Sequence, residues 1–173
     1  MPATSDSCLI LGGSRSGKSS HAQSLAESLR ERQIFIATAQ ALDDEMEARI
    51  ARHVADRGST WSTVEAPLDL STAITRHLNK DQAIVIDCLT LWLSNIMHAE
   101  RDIESETNRL VNAIANADSP LILVSNEVGM GIVPESALGR RFRDAQGFLN
   151  KAVAEACEKV VFIAAGLPLR LKG

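Results

Sequence analysis

The 173-residue chain has a formal net charge of −4, with 45% hydrophobic and 23% charged residues, the balance of a soluble globular protein long enough to bury a sizeable core. Its Lys and Arg are scattered without a basic block, so no nucleic-acid footprint is visible, and nothing approaches the ~20 apolar residues of a membrane span. The short polar start lacks the charged and apolar regions of a signal peptide. Cys8, Cys88 and Cys157 are widely spaced and read as reduced buried thiols, so a cytoplasmic location is expected.

Short β-rich apolar runs alternate with helical periodicity, the pattern of βαβ units around a parallel sheet. Residues 1–6 read as a flexible arm. The first apolar run, 8–11, leads into a Gly-rich loop. Beyond it Ala22, Leu25, Ala26 and Leu29 recur at i, i+3, i+4 and i+7, one apolar stripe of a helix. Residues 34–37 form the second run. A charged helix is expected over about 43–57, with Met46, Ile50 and Val54 on one face. Asp43, Asp44 and Glu45 complement the dipole of its first turn, and Gly58 is its expected left-handed C-cap.

Residues 61–65 read as a weaker strand, and Leu70, Ala73, Ile74 and Leu78 as a short helix. The unbroken apolar run 83–86 suits a central strand covered on both faces. Ile103, Leu110, Val111 and Ile114 mark another helix. Two more strands, 121–124 and 160–164, flank a long helix containing Phe142, Leu149, Ala152, Val153 and Ala156. Neither repeat nor linker interrupts the order, so a single domain over 1–173 is expected.

Gly12-Gly13-Ser14-Arg15-Ser16-Gly17-Lys18-Ser19 matches the phosphate-loop pattern G-x-x-x-x-G-K-[ST]. Glycines let the backbone curl its N–H groups toward a phosphate. Lys18 is expected to reach the β- and γ-phosphates, and the Ser19 hydroxyl to ligate Mg²⁺. A chance glycine turn is the competing explanation, and the strand before and amphipathic helix after the motif argue against it. By itself the loop does not separate kinase, switch and motor.

In open α/β sheets, ligands gather outside the carboxyl ends of the strands. The second run delivers Thr38, Ala39 and Gln40, and the run 83–86 delivers Asp87, the position of a carboxylate that holds the Mg²⁺ shell. The run 121–124 delivers Ser125, Asn126 and Glu127. On the charged helix, Arg49, His53 and Arg57 share one stripe beside Arg52. A neutral imidazole there can attack phosphorus while the guanidinium groups neutralise a triphosphate. Spacing equally allows a solvated face with an ordinary surface histidine.

Together these motifs resemble the bifunctional adenosylcobinamide kinase/adenosylcobinamide-phosphate guanylyltransferase family of cobalamin biosynthesis. The resemblance runs over residues 9–172. Beyond the phosphate loop it includes Ile36-Ala37-Thr38-Ala39, Asp44-Glu45-Met46, Arg49-Ile50-Ala51-Arg52-His53 and Asp87-Cys88-Leu89-Thr90-Leu91-Trp92. It continues with Asn126-Glu127-Val128-Gly129-Met130-Gly131-Ile132-Val133-Pro134 and ends on Arg141-Phe142-Arg143-Asp144, Gly147 and Asn150. The phosphate loop is generic, whereas Arg-Ile-x-x-His and Asn-Glu-Val-Gly-x-Gly-x-Val-Pro, in this order, are highly specific. The polar arm before residue 7 is the one departure and touches no motif.

The resemblance implies a P-loop, RecA-like α/β fold with a mostly parallel central sheet flanked by helices. It implies phosphorylation of adenosylcobinamide by ATP or GTP, then GMP transfer from GTP through a guanylylated histidine, His53 by motif position. It further implies Mg²⁺, a homotrimer, and a nucleotide site of Gly12, Gly13, Ser14, Arg15, Ser16, Gly17, Lys18, Ser19, Ala37, Thr38, Ala39, Val54, Ala55, Asp56, Arg57, Glu65 and Asp87. Lys18 and His53 carry the catalysis in that reading, and Ser19 and Asp87 the metal. The competing readings are a P-loop small-molecule kinase without guanylyl transfer, a regulatory NTPase, and a nucleotide-binding module that turns nothing over.

Overall fold

The computed structural model describes residues 6–40 and 58–173. Among them, seven strands form one sheet: β1 (Ser7–Gly12), β2 (Arg32–Ala37), β3 (Trp61–Glu65), β4 (Gln82–Asp87), β5 (Leu121–Asn126), β6 (Lys159–Ala164) and β7 (Leu167–Lys172). Five helices connect them: α1 (Lys18–Leu29), α2 (Leu70–His77), α3 (Leu89–His98), α4 (Ile103–Ala115) and α5 (Ala137–Ala156). The strand order is β3-β2-β4-β5-β1-β6-β7, and every pairing is parallel except β6 with β7.

The central strands β1, β4 and β5 are buried at nearly every position, with unbroken apolar runs inside them, because both faces of the sheet are covered. Alternation sorts their side chains into two layers. Leu9, Ile36, Ile84, Ile86 and Leu123 pack with Ile74 of α2, Trp92 of α3, Leu110 of α4 and Val153 of α5. Cys8, Ile10, Phe35, Val85, Ile122 and Val124 face the other way, against Ala22 and Ala26 of α1. The small residues of α1 let that helix lie close over the middle of the sheet. Trp92 is fully buried, and its indole N–H donates to the Leu68 carbonyl at 3.0 Å, so its one polar atom is satisfied.

Two elements escape the sequence pattern. In α3, Leu89, Leu91 and Leu93 alternate as they would in a strand, which obscures a helical stripe. In β7, the residues Leu167-Pro168-Leu169-Arg170-Leu171-Lys172 are exposed throughout, so no burial periodicity marks them, and Pro168 is tolerated because β7 is an edge. Ala165 and Gly166, both at positive φ (49° and 80°), form the two-residue turn that folds β7 back on β6.

The helix expected over about 43–57 lies outside the described residues, as do residues 1–5 of the expected arm. The cap expected at Gly58 falls with that helix; the Gly58 carbonyl accepts from the Trp61 N–H at 3.2 Å, closing the turn into β3. All three cysteines are free and buried, as expected.

Candidate functional site

Parallel pairing carries the C-terminal ends of β1, β2, β4 and β5 to one edge of the sheet. Register then fixes which residues meet there. Ala37 pairs with Glu65 on one side and Asp87 on the other, while Gly12 pairs with Asn126 and with Ile163. Phe35 and Val85 face α1, so Ala37 and Asp87, two residues further on, present to that same face. Glu65, Ala37 and Asp87 thus form one row beside the N-terminus of α1.

Gly12 ends β1 at φ 153°, with the Ile163 carbonyl oxygen only 2.4 Å from where a Cβ would stand. Only a residue without that carbon fits without moving β6. The loop then turns, with the Ser16 N–H donating to the Gly13 carbonyl at 3.4 Å, and Gly17 enters α1 in the left-handed conformation (φ 101°). No side chain caps α1, so the N–H groups of its first turn point outward at the positive end of the helix dipole, the arrangement that binds phosphate. The loop is braced on both flanks: the Gly166 N–H donates to the Ser16 carbonyl at 2.9 Å, and the Glu127 N–H to the Gly12 carbonyl at 3.1 Å.

Lys18, the first residue of α1, is only 7% exposed. Its ammonium donates to the Gly13 carbonyl at 2.5 Å and reaches the Ser16 hydroxyl at 3.5 Å. The lysine therefore lies folded across the loop, on the side a phosphate would enter. Burial pushes its pKa below the ordinary lysine value, and the neighbouring Cys88 and Asp87 pull it back up. That coupling places the Asp87 carboxylate within electrostatic reach of the loop. Ser19 follows Lys18 and is half-buried. The Asp87–Cys88 peptide bond is cis.

Thr38 has a different position from its neighbours in the predicted set. It is fully buried, its hydroxyl donates to the Cys88 carbonyl at 2.7 Å and accepts from the Cys88 N–H at 2.8 Å. The Asn95 amide donates to the Thr38 carbonyl at 2.8 Å and to that of Pro67 at 3.0 Å. Its side chain is therefore a staple between the ends of β2 and β4, and only Ala39 and Gln40 beside it remain half-open. Glu65 is exposed at the end of β3. His53, Val54, Ala55, Asp56 and Arg57 lie outside the described residues.

A second polar group surrounds the end of β5. The Ser125 hydroxyl donates to Asn150 Oδ1 at 2.6 Å, and Gln146 Nε2 donates to both Ser125 Oγ (3.0 Å) and Asn150 Oδ1 (2.9 Å). Asn150 had a motif signal in the sequence. Gln146 and Asn95 had none, because a buried polar residue on an otherwise ordinary helix looks like a solvated one. After Asn126 the chain runs outward as a loop with Met130 81% and Ile132 99% exposed.

A cavity of about 830 Å³ is lined by Arg32, Gln33, Ser62 and Gln82. These stand at the N-terminal ends of β2, β3 and β4, opposite the phosphate loop, so it is not the nucleotide site. A smaller cavity of about 390 Å³ lies between α3 and α5, bordered by Met97, Leu138, Arg141 and Phe142.

Sheet order, phosphate loop and strand-end carboxylate together define a P-loop nucleotide-binding protein of the RecA-like kind. The fold is shared with the RadB recombinase at a TM-score of 0.53 and 12% identity, over 90% of this chain and 73% of that one, a likeness of fold alone. More particularly, residues 8–171 match the model of the cobinamide kinase / cobinamide phosphate guanyltransferase family, and the chain belongs to that family. It is thus a kinase and nucleotidyltransferase by descent. It is 44% identical to the bifunctional adenosylcobalamin biosynthesis protein CobP of Pseudomonas aeruginosa, over 95% of this chain and 96% of the relative. To the bifunctional adenosylcobalamin biosynthesis protein CobU of Salmonella typhimurium it is 39% identical, over 95% and 98%.

Proposed function

We propose that this chain works as one catalytic domain that phosphorylates adenosylcobinamide with ATP or GTP, and then transfers GMP from GTP to adenosylcobinamide phosphate. The observation that carries the nucleotide part is the braced loop of residues 12–19 with Lys18 lying across it. Gly12, Gly13, Ser14, Arg15, Ser16, Gly17, Lys18 and Ser19 would hold the phosphates, with Ala37, Thr38, Ala39, Glu65 and Asp87 along the adjoining rim. Thr38 contributes there by shaping backbone, since its hydroxyl is occupied. Val54, Ala55, Asp56 and Arg57 join the set by family likeness.

The Ser19 hydroxyl and the Asp87 carboxylate are hard oxygen donors beside the phosphate loop, a set that suits Mg²⁺ arriving with the nucleotide. When bound, that ion supplies neutralisation of the triphosphate charge. Lys18 would slide from the Gly13 carbonyl onto the phosphate oxygens and stabilise the charge that develops on them. In the kinase step the acceptor hydroxyl oxygen bonds to the γ-phosphorus and gives up its proton to water, while the bond to the β,γ-bridging oxygen breaks, releasing the nucleoside diphosphate.

In the second step a ring nitrogen of neutral His53 attacks the α-phosphorus of GTP in line, and pyrophosphate leaves. A phosphate oxygen of the corrinoid substrate then attacks the phosphorus of the histidine–GMP adduct. The P–N bond breaks, the imidazole is regenerated, and adenosylcobinamide-GDP is formed. The loop from Asn126 to Pro134 would shape the corrinoid side, and its exposed Met130, Ile132 and Val133 supply the apolar surface a large macrocycle can cover. We place the enzyme in the cytoplasm as a homotrimer. The outward Leu167, Leu169 and Leu171 of β7 are the kind of surface a subunit contact covers.

The test supplies adenosylcobinamide with ATP, GTP and Mg²⁺ and measures phosphorylation separately from GMP transfer. Both products are expected. Phosphorylation without GMP transfer would leave a small-molecule kinase, and nucleotide hydrolysis without either product a regulatory NTPase.

A further inference from the structure

The end of β5 carries more hydrogen bonding than a strand terminus needs. The Asn126 N–H donates to Thr90 Oγ1 at 2.9 Å, and the Asn126 carbonyl accepts from Asn150 Nδ2 at 3.1 Å. Thr90 stands in the first turn of α3 and Asn150 on α5, so two helices grip the two polar backbone atoms of one residue. Asn150 is itself held, because its Oδ1 accepts from Ser125 and Gln146. Thr90, Ser125, Gln146 and Asn150 are all buried, where each of these bonds is costly to lose.

Alternation tells which way the gripped residue looks. Val124 belongs to the layer facing α1 and Leu123 to the other, and Ser125 meets α5 on that other side. The side chain of Asn126 therefore returns to the α1 face. It stands beside Gly12, its partner on β1, with the strand of Asp87 on its other flank. It is half-buried, while the next peptide donates to Gly12 and bends the chain away.

We propose that Asn126 contacts the transferring phosphoryl group, its amide nitrogen donating to a γ-phosphate oxygen, and that Thr90 and Asn150 are positioning residues that fix its backbone. This rests on the nucleotide reading of the loop at 12–19. An amide is suited to the place: it donates without adding a charge that would compete with Lys18. A rigid anchor matters because a donor aimed at developing charge counts only if it need not reorganise during the reaction.

The experiment measures two quantities in each variant: affinity for a fluorescent ATP analogue, and kcat for phosphorylation of adenosylcobinamide. Asn126→Ala should lower kcat by roughly a hundredfold and leave nucleotide affinity within about threefold. Thr90→Val keeps the shape and removes the hydroxyl, and should lower kcat by about three- to tenfold, whereas Thr90→Ser, which keeps the hydroxyl, restores it. Full activity in Asn126→Ala overturns the proposal. So does a fall in affinity that accounts for the whole loss, or equal behaviour of the Val and Ser variants at position 90. Lys18→Ala serves as the control: if it binds the analogue as wild type does, the nucleotide reading itself fails, whatever Asn126→Ala shows.

Discussion

Replacing Gly12 by Ala tests the loop where its geometry is tightest. The new Cβ would lie 2.4 Å from the Ile163 carbonyl oxygen and 2.8 Å from the Ser16 hydroxyl, at a backbone φ of 153°. The hydroxyl can rotate away, but the carbonyl belongs to β6 and is held by the β1–β6 pairing. Holding a side chain in such a sparsely populated backbone region costs on the order of 1–3 kcal/mol. Overpacking against a neighbour that cannot yield adds about 1–3 kcal/mol.

The sum, about 2–6 kcal/mol, corresponds to a Tm lowered by roughly 5–20 °C in a chain of this size. Gly13 is the matched control, being exposed with nothing within 4 Å of its would-be Cβ. Gly13→Ala should move the Tm by no more than about 2 °C. Thermal unfolding followed by circular dichroism reads both. A displacement of about 1 Å at the loop also lowers turnover on the order of a hundredfold, so Gly12→Ala should lose phosphorylation along with stability. A Gly12→Ala protein as stable as Gly13→Ala would refute the packing argument.

Asp87→Asn keeps the shape of the strand end and removes its charge. Mg²⁺-dependent turnover should fall by about 10²–10³-fold while the Tm shifts by no more than about 3 °C, and unimpaired turnover would remove Asp87 from the metal role. Burial pushes the Cys8 thiol from 9.0 up to about 11 and that of Cys157 up to about 12. Between pH 9 and those values the unfolded chain loses thiol protons that the folded chain keeps, so stability is present below about pH 9 and declines as pH rises. Urea unfolding at pH 8 and pH 10.5 should show that decline, and a Cys8→Ala/Cys157→Ala variant should lessen it, the Cys88 thiol, also pushed up by burial, keeping the remainder. An unchanged slope in the double variant would assign the pH dependence elsewhere.

Much of the architecture was legible because burial on both faces writes itself as apolar runs. Residues 83–86 and 121–124 could be little else than covered strands, and β3 appears over the expected 61–65 although three of its five residues are exposed. The edge strand β7 was not legible, since an exposed edge needs no apolar pattern. Within the site, the phosphate loop announced itself because two of its glycines answer local needs, Gly12 against the Ile163 carbonyl and Gly17 at a left-handed φ of 101°. Strand-end position, together with the motifs around them, marked Asp87 and Asn126. It could not show that the Thr38 hydroxyl is spent on Cys88, or that Thr90 and Asn150 grip Asn126, because those bonds join residues 50, 36 and 24 positions apart in the chain. Long-range side-chain bonds to backbone leave no periodicity to read.

The central claim is that this phosphate loop serves nucleotidyl transfer through His53 as well as phosphorylation. Incubating the protein with Mg²⁺ and GTP labelled at the α-phosphate tests it directly, followed by quenching at neutral and acid pH. The account predicts a covalent, acid-labile label that maps to His53, is absent from His53→Ala, and is discharged by adenosylcobinamide phosphate. Equal labelling of His53→Ala, or no α-label on a wild-type protein that phosphorylates adenosylcobinamide, would contradict it.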